Sequence, residues 1–382
     1  MIKNSILFIL FTIGSTTQLI AQNGFDFYNG LHMGAHNVGT IVDSLKYTTD
    51  ETNRKLHVHI WYPAKADGDK LTLANYLDPQ GNLGHQELLE NLSIGISGTP
   101  NAFPKDSLEL LLNFKMKASK NAVAKNERFP LLVWSMRYGT VSSQSLISEY
   151  LASHGYVVAY VEDHPNAPFP WQLPSAEEKE SALNQQVEDV NHAIDHLKKQ
   201  PNINSNSIGM LTWSYAGESA IMTQMNNADI DLVVGLSSIG FSYGIYLGSE
   251  LPKKISVGQL QVPYLILSEK IGTNGKKRTP PEIFDQMHPG SRYVSFKKLS
   301  HGNFNAMEGM LPGILNTNKV QSWSKGGQLA KLGYETICKT ALSFINTVFQ
   351  QSNSGSFDQR MMELSETLPL NFISVIRPID RE

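Results

Sequence analysis

The sequence predicts an α/β fold built on a mostly parallel, doubly wound sheet. From residue 129 onward, short apolar runs typical of strands alternate with longer segments whose apolar residues recur at helical spacing. The runs 131–134 and 156–161 have no polar alternation, as expected of strands that helices cover on both faces. The connections are short, so right-handed crossovers then give one sheet with helices on both sides.

The first 21 residues predict a secretory signal peptide. Lys3 precedes the apolar run 6–13, and after a polar break the small residue Ala21 provides a cleavage site. The apolar run is shorter than a membrane-spanning helix needs. We therefore expect cleavage after Ala21, a secreted or periplasmic protein, and no membrane span in its mature form.

Composition narrows the classes of partner. Lys and Arg number 32 and Asp and Glu 35 among 382 residues, without a basic stripe, so a nucleic-acid partner has no electrostatic support. The single cysteine, Cys338, cannot form an internal disulfide. It lies at helical spacing with apolar neighbours, which predicts a small buried hydrophobe and not a reactive thiol.

The N-terminal part predicts an antiparallel hairpin and then an insertion. Residues 40–47 and 56–62 have the pattern of two strands joined by a polar turn. His57 and His59 share one face of the second strand, which we expect to be solvated, and no third ligand at suitable spacing indicates a metal. Residues 64–126 lie between the hairpin and the first parallel strand and lack a regular strand pattern. They fit either a cap over a cleft or an insertion on the surface.

The remaining elements complete a domain that we place at residues 22–350. A C-terminal tail, residues 351–382, is polar and then apolar at 372–376, which fits a surface segment or an edge strand. Further strands are predicted at 208–211, 232–236, 264–267 and 293–299, and helices at 144–153, 182–199 and 334–349.

A serine follows the strand 208–211 at a tight turn. The run ends at Ser214, and small residues such as Ala216 and Gly217 lead into the next helical segment. Strand, turn and helix with a serine on the turn is the pattern of a nucleophile elbow, usually written G-x-S-x-G. The first glycine position holds Thr212 here, and the second holds Ala216.

Two more strand ends supply the partners that a serine nucleophile needs. A serine hydroxyl requires a base within hydrogen-bond reach and a third group that orients the base. His301 and Glu269 each follow a predicted strand, and the order serine, acid, histidine is the order of a nucleophile-elbow hydrolase. Glu269 is our first choice of acid and Asp285, in the following loop, the second. After the strand 232–236 the chain reads Ser237-Ser238, without a carboxylate.

Acyl transfer also needs two donors for the oxyanion. The backbone N–H of Tyr215, directly after the serine, is one candidate. The other is the backbone N–H of Tyr138, in the loop after the strand 131–134.

Several stretches together resemble one branch of the α/β-hydrolases, that of platelet-activating-factor acetylhydrolase and dienelactone hydrolase. The resemblance covers about residues 34–349 and rests on V-H-I-W-Y-P (58–63), F-P-L-L-V-W-S-M-R-Y-G (129–139), L-A-S-H-G-Y-V-V-A-Y-V-E (151–162), T-W-S-Y-A-G (212–217), P-Y-L-I-L-S-E (263–269) and S-H-G-N-F (300–304). It implies the α/β-hydrolase fold and a secreted carboxylic ester hydrolase with Ser214 as nucleophile and His301 as base. We expect no cofactor and no metal.

The chain departs from that branch at three places. Met136-Arg137 stand where the branch has His-Gly, Thr212 and Ala216 replace the elbow glycines, and the aspartate expected at the position of Ser237 is absent. The leading interpretation is an esterase that takes short or modified acyl groups from small-molecule esters through an acyl-enzyme on Ser214. A binding protein that kept the fold and lost its chemistry is the alternative. A peptidase or amidase ranks lower.

Overall fold

Eleven strands form a single mixed sheet in the part of the chain that the structure, a computed structural model, describes. The described residues are 26–48, 53–135, 140–162, 172–238, 260–272, 275, 277–278, 284, 287–349, 356–369 and 372–378. The strands are β1 (Asn37–Thr48), β2 (Asn53–Ala64), β3 (Lys70–Thr72), β4 (Lys115–Lys120), β5 (Phe129–Ser135), β6 (Val157–Val161), β7 (Ile203–Trp213), β8 (Ile230–Leu236), β9 (Tyr264–Glu269), β10 (Arg292–Phe296) and β11 (Ile373–Pro378).

The strand order is β11-β10-β9-β8-β7-β5-β6-β2-β1-β4-β3. From β5 to β10 all neighbouring strands run parallel. β1 and β2 form the predicted antiparallel hairpin, which joins the parallel part because β2 pairs antiparallel with β6. β11 adds an antiparallel strand to the opposite edge. The predicted fold class is therefore confirmed.

Helices cover both faces of this sheet. They are α1 (Leu73–Leu77), α2 (His85–Ser97), α3 (Lys105–Leu112), α4 (Val141–Ser153), α5 (Ala176–Leu197), α6 (Gly217–Asn226), α7 (Ala306–Gly309), α8 (Leu311–Ile314), α9 (Gly327–Val348) and α10 (Phe357–Thr367). One hydrophobic core lies under α4 and α9, and a second lies under α5 and α6. The helices therefore sandwich the sheet, as its continuous apolar strands require.

The predicted helices are all present with shifted ends. The helix predicted at 182–199 begins earlier, at Ala176, because Ser175 and Glu178 form a capping box that satisfies its first N–H groups. Cys338 lies fully buried in α9, as predicted, and burial raises the pKa of its thiol. Among the described residues no helix is long and apolar enough to cross a bilayer. The predicted signal peptide lies outside the described residues.

The insertion, residues 64–126, contributes β3, α1, α2, α3 and β4 and is tied to α4 through a buried carboxylate. Glu149 of α4 is fully buried and accepts hydrogen bonds from the hydroxyls of Tyr28 and Tyr76 and from the backbone N–H groups of Lys117 (3.0 Å) and Ala118 (3.2 Å). Four donors offset the cost of removing this carboxylate from water. The insertion is thus a packed part of the domain.

The expectation of a solvated face on the second strand is wrong for His59. Its side chain is 4% exposed, and its Nε2 lies 2.8 Å from Oε1 of Glu162. The physical reason is that β6 pairs with β2 and places Tyr160 opposite His59, whose ring lies 6.4 Å from the rings of Tyr160 and Trp61. His57 is only half-buried.

Candidate active site

Ser214 lies at the sharp turn between β7 and α6, as its position in the sequence predicts. Its φ of 59° is in the left-handed region, which costs a residue with a Cβ energy and is typical of functional turns. A short 3-10 turn, Ser214–Ala216, leads directly into α6. The hydroxyl of Ser219, in α6, stabilises this turn. It donates to the carbonyl of Ala216 (2.8 Å) and lies 2.7 Å from the Ser135 hydroxyl.

Thr212 fits beneath this turn because its neighbours are small. It pairs with Ser135 on one side and Gly235 on the other, and only 1% of its surface is exposed. Its hydroxyl is buried and has no hydrogen-bond partner among the described residues. The threonine at the first elbow position is therefore accommodated sterically, at the expense of one unpaired polar group.

His301 is brought to the serine by the loop after β10. Its Nε2 lies 2.8 Å from the Ser214 Oγ, and both side chains are buried. The predicted strand 293–299 ends earlier, at Phe296, so the histidine lies on a 3-10 turn, His301–Phe304, and not directly on the strand end.

The residues after His301 fix this turn. Asn303 accepts hydrogen bonds from the backbone N–H groups of Ser300 (3.0 Å) and Lys325 (3.0 Å) and donates to the carbonyl of Lys325 (2.8 Å). A Cβ on Gly302 would lie 2.0 Å from the Glu308 carboxylate and from the Ser324 hydroxyl, so a larger residue there would displace both side chains. The sequence S-H-G-N-F thus encodes a rigid support for the imidazole.

The insertion packs beside this support. The backbone N–H of Gly302 donates to the carbonyl of Trp323 (3.0 Å), and the neighbouring Gln321 contacts α2 through the carbonyls of Ile94 (2.9 Å) and Ile96 (3.3 Å). The segment that carries Trp323 therefore lies between α2 and the histidine loop.

A serine that the sequence interpretation left without a role stands between His301 and the predicted acid. The Ser237 Oγ lies 2.6 Å from His301 Nδ1 and 2.6 Å from the Glu269 Oε2. Glu269 is the last residue of β9, and within the described chain the hydrogen bonds of its carboxylate come from Ser237 and Arg278 and not from His301. The signal for Ser237 was its position after β8, where the resembling branch has an aspartate.

Burial dominates the electrostatics of the imidazole. Removal from water lowers the pKa of His301 from 6.5 to about 4; Glu269 opposes this shift, whereas the positive charge of Arg278 adds to it. Arg278 forms an ion pair of 3.2 Å with Glu269, and both are buried. The Trp213 ring stacks on the imidazole at 5.3 Å between centroids. His301 is therefore neutral at neutral pH, as a general base must be.

The structure brings together three of the predicted site residues, Ser214, His301 and Glu269, with Ser237 completing the connection. Tyr215 follows the serine on the 3-10 turn and is half-buried. The second predicted oxyanion donor, Tyr138, and the second choice of acid, Asp285, lie outside the described residues. The described residues contain no group of three or more His, Cys, Asp or Glu side chains placed to hold a metal ion.

Comparisons with known proteins agree with this architecture. Residues 28–208 match the model of a family described as platelet-activating factor acetylhydrolase, isoform II. Among solved structures, a ferulic acid esterase from Streptomyces cinnamoneus is similar at a TM-score of 0.57 and 16% identity, over 83% of this chain and 92% of that one. At this identity the likeness shows the fold. No curated protein matches the sequence.

Proposed function

We propose that the chain is a serine hydrolase of carboxylic esters, in the branch of the α/β-hydrolase superfamily that resembles platelet-activating factor acetylhydrolase. The support is the match of residues 28–208 to that family and the fold shared with a solved esterase. The observation that carries the proposal is the hydrogen bond of 2.8 Å between the Ser214 hydroxyl and a neutral, buried His301. The family match ends at residue 208, so support for the nucleophile comes from this geometry and not from the match.

In the proposed reaction His301 moves one proton in each half. Its Nε2 removes the Ser214 proton as Oγ bonds to the ester carbonyl carbon, and then delivers that proton to the alcohol as the carbon–oxygen bond breaks. In the second half water loses a proton to His301 as its oxygen bonds to the acyl carbon. His301 then returns that proton to Ser214 as the bond between the acyl carbon and Oγ breaks and the carboxylic acid leaves. We assign the backbone N–H groups of Tyr215 and Tyr138 to the oxyanion.

For the substrate we propose short or modified acyl esters of small molecules. The support is the name of the matching family, which is an acetylhydrolase. The experiment is hydrolysis of a p-nitrophenyl acyl series, from acetate upward, by the wild type and by Ser214→Ala. We expect turnover that is highest for short chains and absent in the variant.

Covalent labelling separates this proposal from a binding protein that kept the fold. Two departures favour such an inactive protein: Thr212 stands at the first elbow position, and the Ser237 hydroxyl lies on His301 Nδ1, where a carboxylate is usual. An organophosphonate should attach to Ser214 of the wild type, as located by mass spectrometry of the labelled peptide. A folded wild-type protein that neither labels nor hydrolyses any member of the series would contradict the esterase.

We further propose that the protein is exported by its N-terminal signal and acts outside the cytoplasm, as a secreted or periplasmic enzyme. The support is the charged, apolar and small-residue order of residues 1–21. Mass spectrometry of the exported protein should give an N-terminus at Gln22.

A further inference from the structure

We infer that Ser237 is a positioning residue that couples Glu269 to His301, so that the site works as a chain of four side chains, Ser214, His301, Ser237 and Glu269. This inference rests on the proposed function. It differs from the usual triad, in which a carboxylate touches the imidazole directly. Here the distances of 2.6 Å on both sides of the Ser237 Oγ place a neutral hydroxyl in that position.

The direction of the Ser237 proton follows from its partners. An ionised carboxylate only accepts hydrogen bonds, so Ser237 must donate its single proton to the Glu269 Oε2. The Ser237 Oγ then has only lone pairs to offer to His301 Nδ1, so Nδ1 must carry the proton of the neutral imidazole. Nε2 is left as the acceptor for the Ser214 hydroxyl, which is the tautomer that a general base requires.

Arg278 helps to fix the direction in which the Ser237 hydroxyl donates its proton. It pairs with Oε1 of Glu269, at 3.2 Å, and leaves Oε2 to Ser237. In this ion pair the carboxylate accepts hydrogen bonds on both oxygens and donates none toward Ser237. In Glu269→Gln, Arg278 would hold the amide oxygen, and the amide N–H₂ would donate to Ser237. The Ser237 proton would then turn toward Nδ1 and stabilise the wrong tautomer of His301.

The backbone is shaped to present this hydroxyl. Ser237 has a φ of 42°, so the residue after β8 adopts the same strained left-handed conformation as Ser214 after β7. Its N–H donates to the carbonyl of Leu267 (2.7 Å), which ties it to β9 beside the acid. Ser237 as a residue is 3% exposed, so its hydroxyl is largely shielded from water. Strain at two neighbouring strand ends thus places two serines on opposite nitrogens of one imidazole.

The test compares Ser237→Ala, Glu269→Gln and the double variant, with Ser268→Ala as the control. Ser268 is also buried, on β9, and its hydroxyl bonds to the carbonyl of Glu269 and not to His301. We expect each single variant of the chain to lower kcat/KM for p-nitrophenyl acetate by about 10²- to 10³-fold. Because the two residues act in series, kcat/KM of the double variant should be within about threefold of that of the worse single variant. If their roles were independent, the two losses in kcat/KM would multiply.

A rescue distinguishes positioning from mere structural support. In Ser237→Asp combined with Glu269→Gln, a carboxylate replaces the hydroxyl next to Nδ1 and the charge behind it is removed. We expect kcat/KM at least about tenfold above that of the Ser237→Ala/Glu269→Gln variant. The acid limb of its pH profile should move to higher pH, because a carboxylate in contact stabilises the imidazolium.

Proton NMR of the folded protein tests the chain without turnover. The Nδ1–H proton of His301, assigned with His301→Gln, should give a low-field signal that Ser237→Ala abolishes and Ser268→Ala retains. An unchanged signal, with kcat/KM of Ser237→Ala within threefold of the wild type, overturns the inference and leaves the esterase intact. A wild type that shows this signal but neither labels nor turns over overturns the proposed function and leaves the hydrogen-bonded chain.

Discussion

At the scale of single residues, the surroundings of His301 decide its chemistry. The imidazole lies under the Trp213 ring and out of water, and the nearest carboxylate is separated from it by a hydroxyl and partly neutralised by Arg278. Removal from water and the charge of Arg278 disfavour the imidazolium, and the hydroxyl between Glu269 and the ring weakens the opposing effect of that carboxylate. The base is therefore weak, but it is unprotonated over a wide range of pH.

This environment predicts activity in mild acid. Because burial lowers the pKa of His301 from 6.5 to about 4, the acid limb of kcat/KM should fall near pH 4 and not near 6.5. Between pH 6.5 and about pH 4, His301 is protonated in the unfolded chain and neutral in the folded chain. The free energy of unfolding therefore decreases as pH falls through this range. A pH profile of p-nitrophenyl acetate hydrolysis checks the limb; a midpoint near 6.5 would contradict it.

The unpaired hydroxyl of Thr212 gives a second residue-scale prediction. Thr212→Val keeps the shape and removes a buried polar atom that has no partner, so unfolding should cost about 1 kcal/mol more. Urea denaturation measures the difference. Activity should stay within twofold, since the hydroxyl contacts none of Ser214, His301, Ser237 and Glu269 through a hydrogen bond. Thr223→Val is the matched control and should lower stability, because the Thr223 hydroxyl donates to the Ser219 carbonyl (2.7 Å).

At the scale of elements, the site is assembled by the ends of four parallel strands. β7, β8 and β9 end at or next to Ser214, Ser237 and Glu269, and the loop after β10 supplies His301. Neighbouring strands lie about 4.8 Å apart, so residues at their ends are within reach of one another. α4 faces this sheet and anchors the insertion through Glu149.

Replacing that carboxylate should loosen the insertion. In Glu149→Gln the amide N–H₂ faces donors, the Tyr28 and Tyr76 hydroxyls and two backbone N–H groups, and one of them loses its acceptor. We expect a loss of about 2–4 kcal/mol in the free energy of unfolding, measured with urea. The exposed Glu87→Gln in α2 should change it by less than about 0.5 kcal/mol. Equal stability of the two variants would refute the anchoring role.

At the scale of the whole molecule, the C-terminal segment completes the sheet at the strand that leads to the histidine loop. β11 pairs with β10, and the preceding Phe372 is 1% exposed with its ring 6.2 Å from that of Phe296. Its carbonyl also accepts from the Lys297 N–H (2.9 Å). The segment therefore covers an edge that would otherwise present unpaired backbone groups.

Phe372→Ala tests how much the molecule depends on this closure. Removing a buried aromatic ring should cost about 3–5 kcal/mol of stability, and inactivation should begin at lower temperature because β10 leads directly to His301. Thermal unfolding and residual esterase activity after heating measure both effects. Met362→Ala, on the exposed face of α10, serves as the control. Similar melting temperatures for the two variants would show that the edge is dispensable.

The sequence by itself determined the class of fold, the hairpin and the positions of Ser214, His301 and Glu269 at the carboxyl edge of the sheet. Apolar periodicity reports which faces are buried, and chain order reports which strand end carries which side chain. Both are local properties, so they can be read along the chain without knowing what lies across the sheet.

Only the tertiary structure decided how those residues connect. His59 is buried because β6 lies beside β2, and Ser237 stands between His301 and Glu269 because β8 lies beside β9. Which side chain first reaches a ring nitrogen depends on backbone angles at the strand ends and on differences of an ångström or less. The order of residues along the chain does not give these distances between side chains. They are set by how the strands pair and how the helices pack on the sheet.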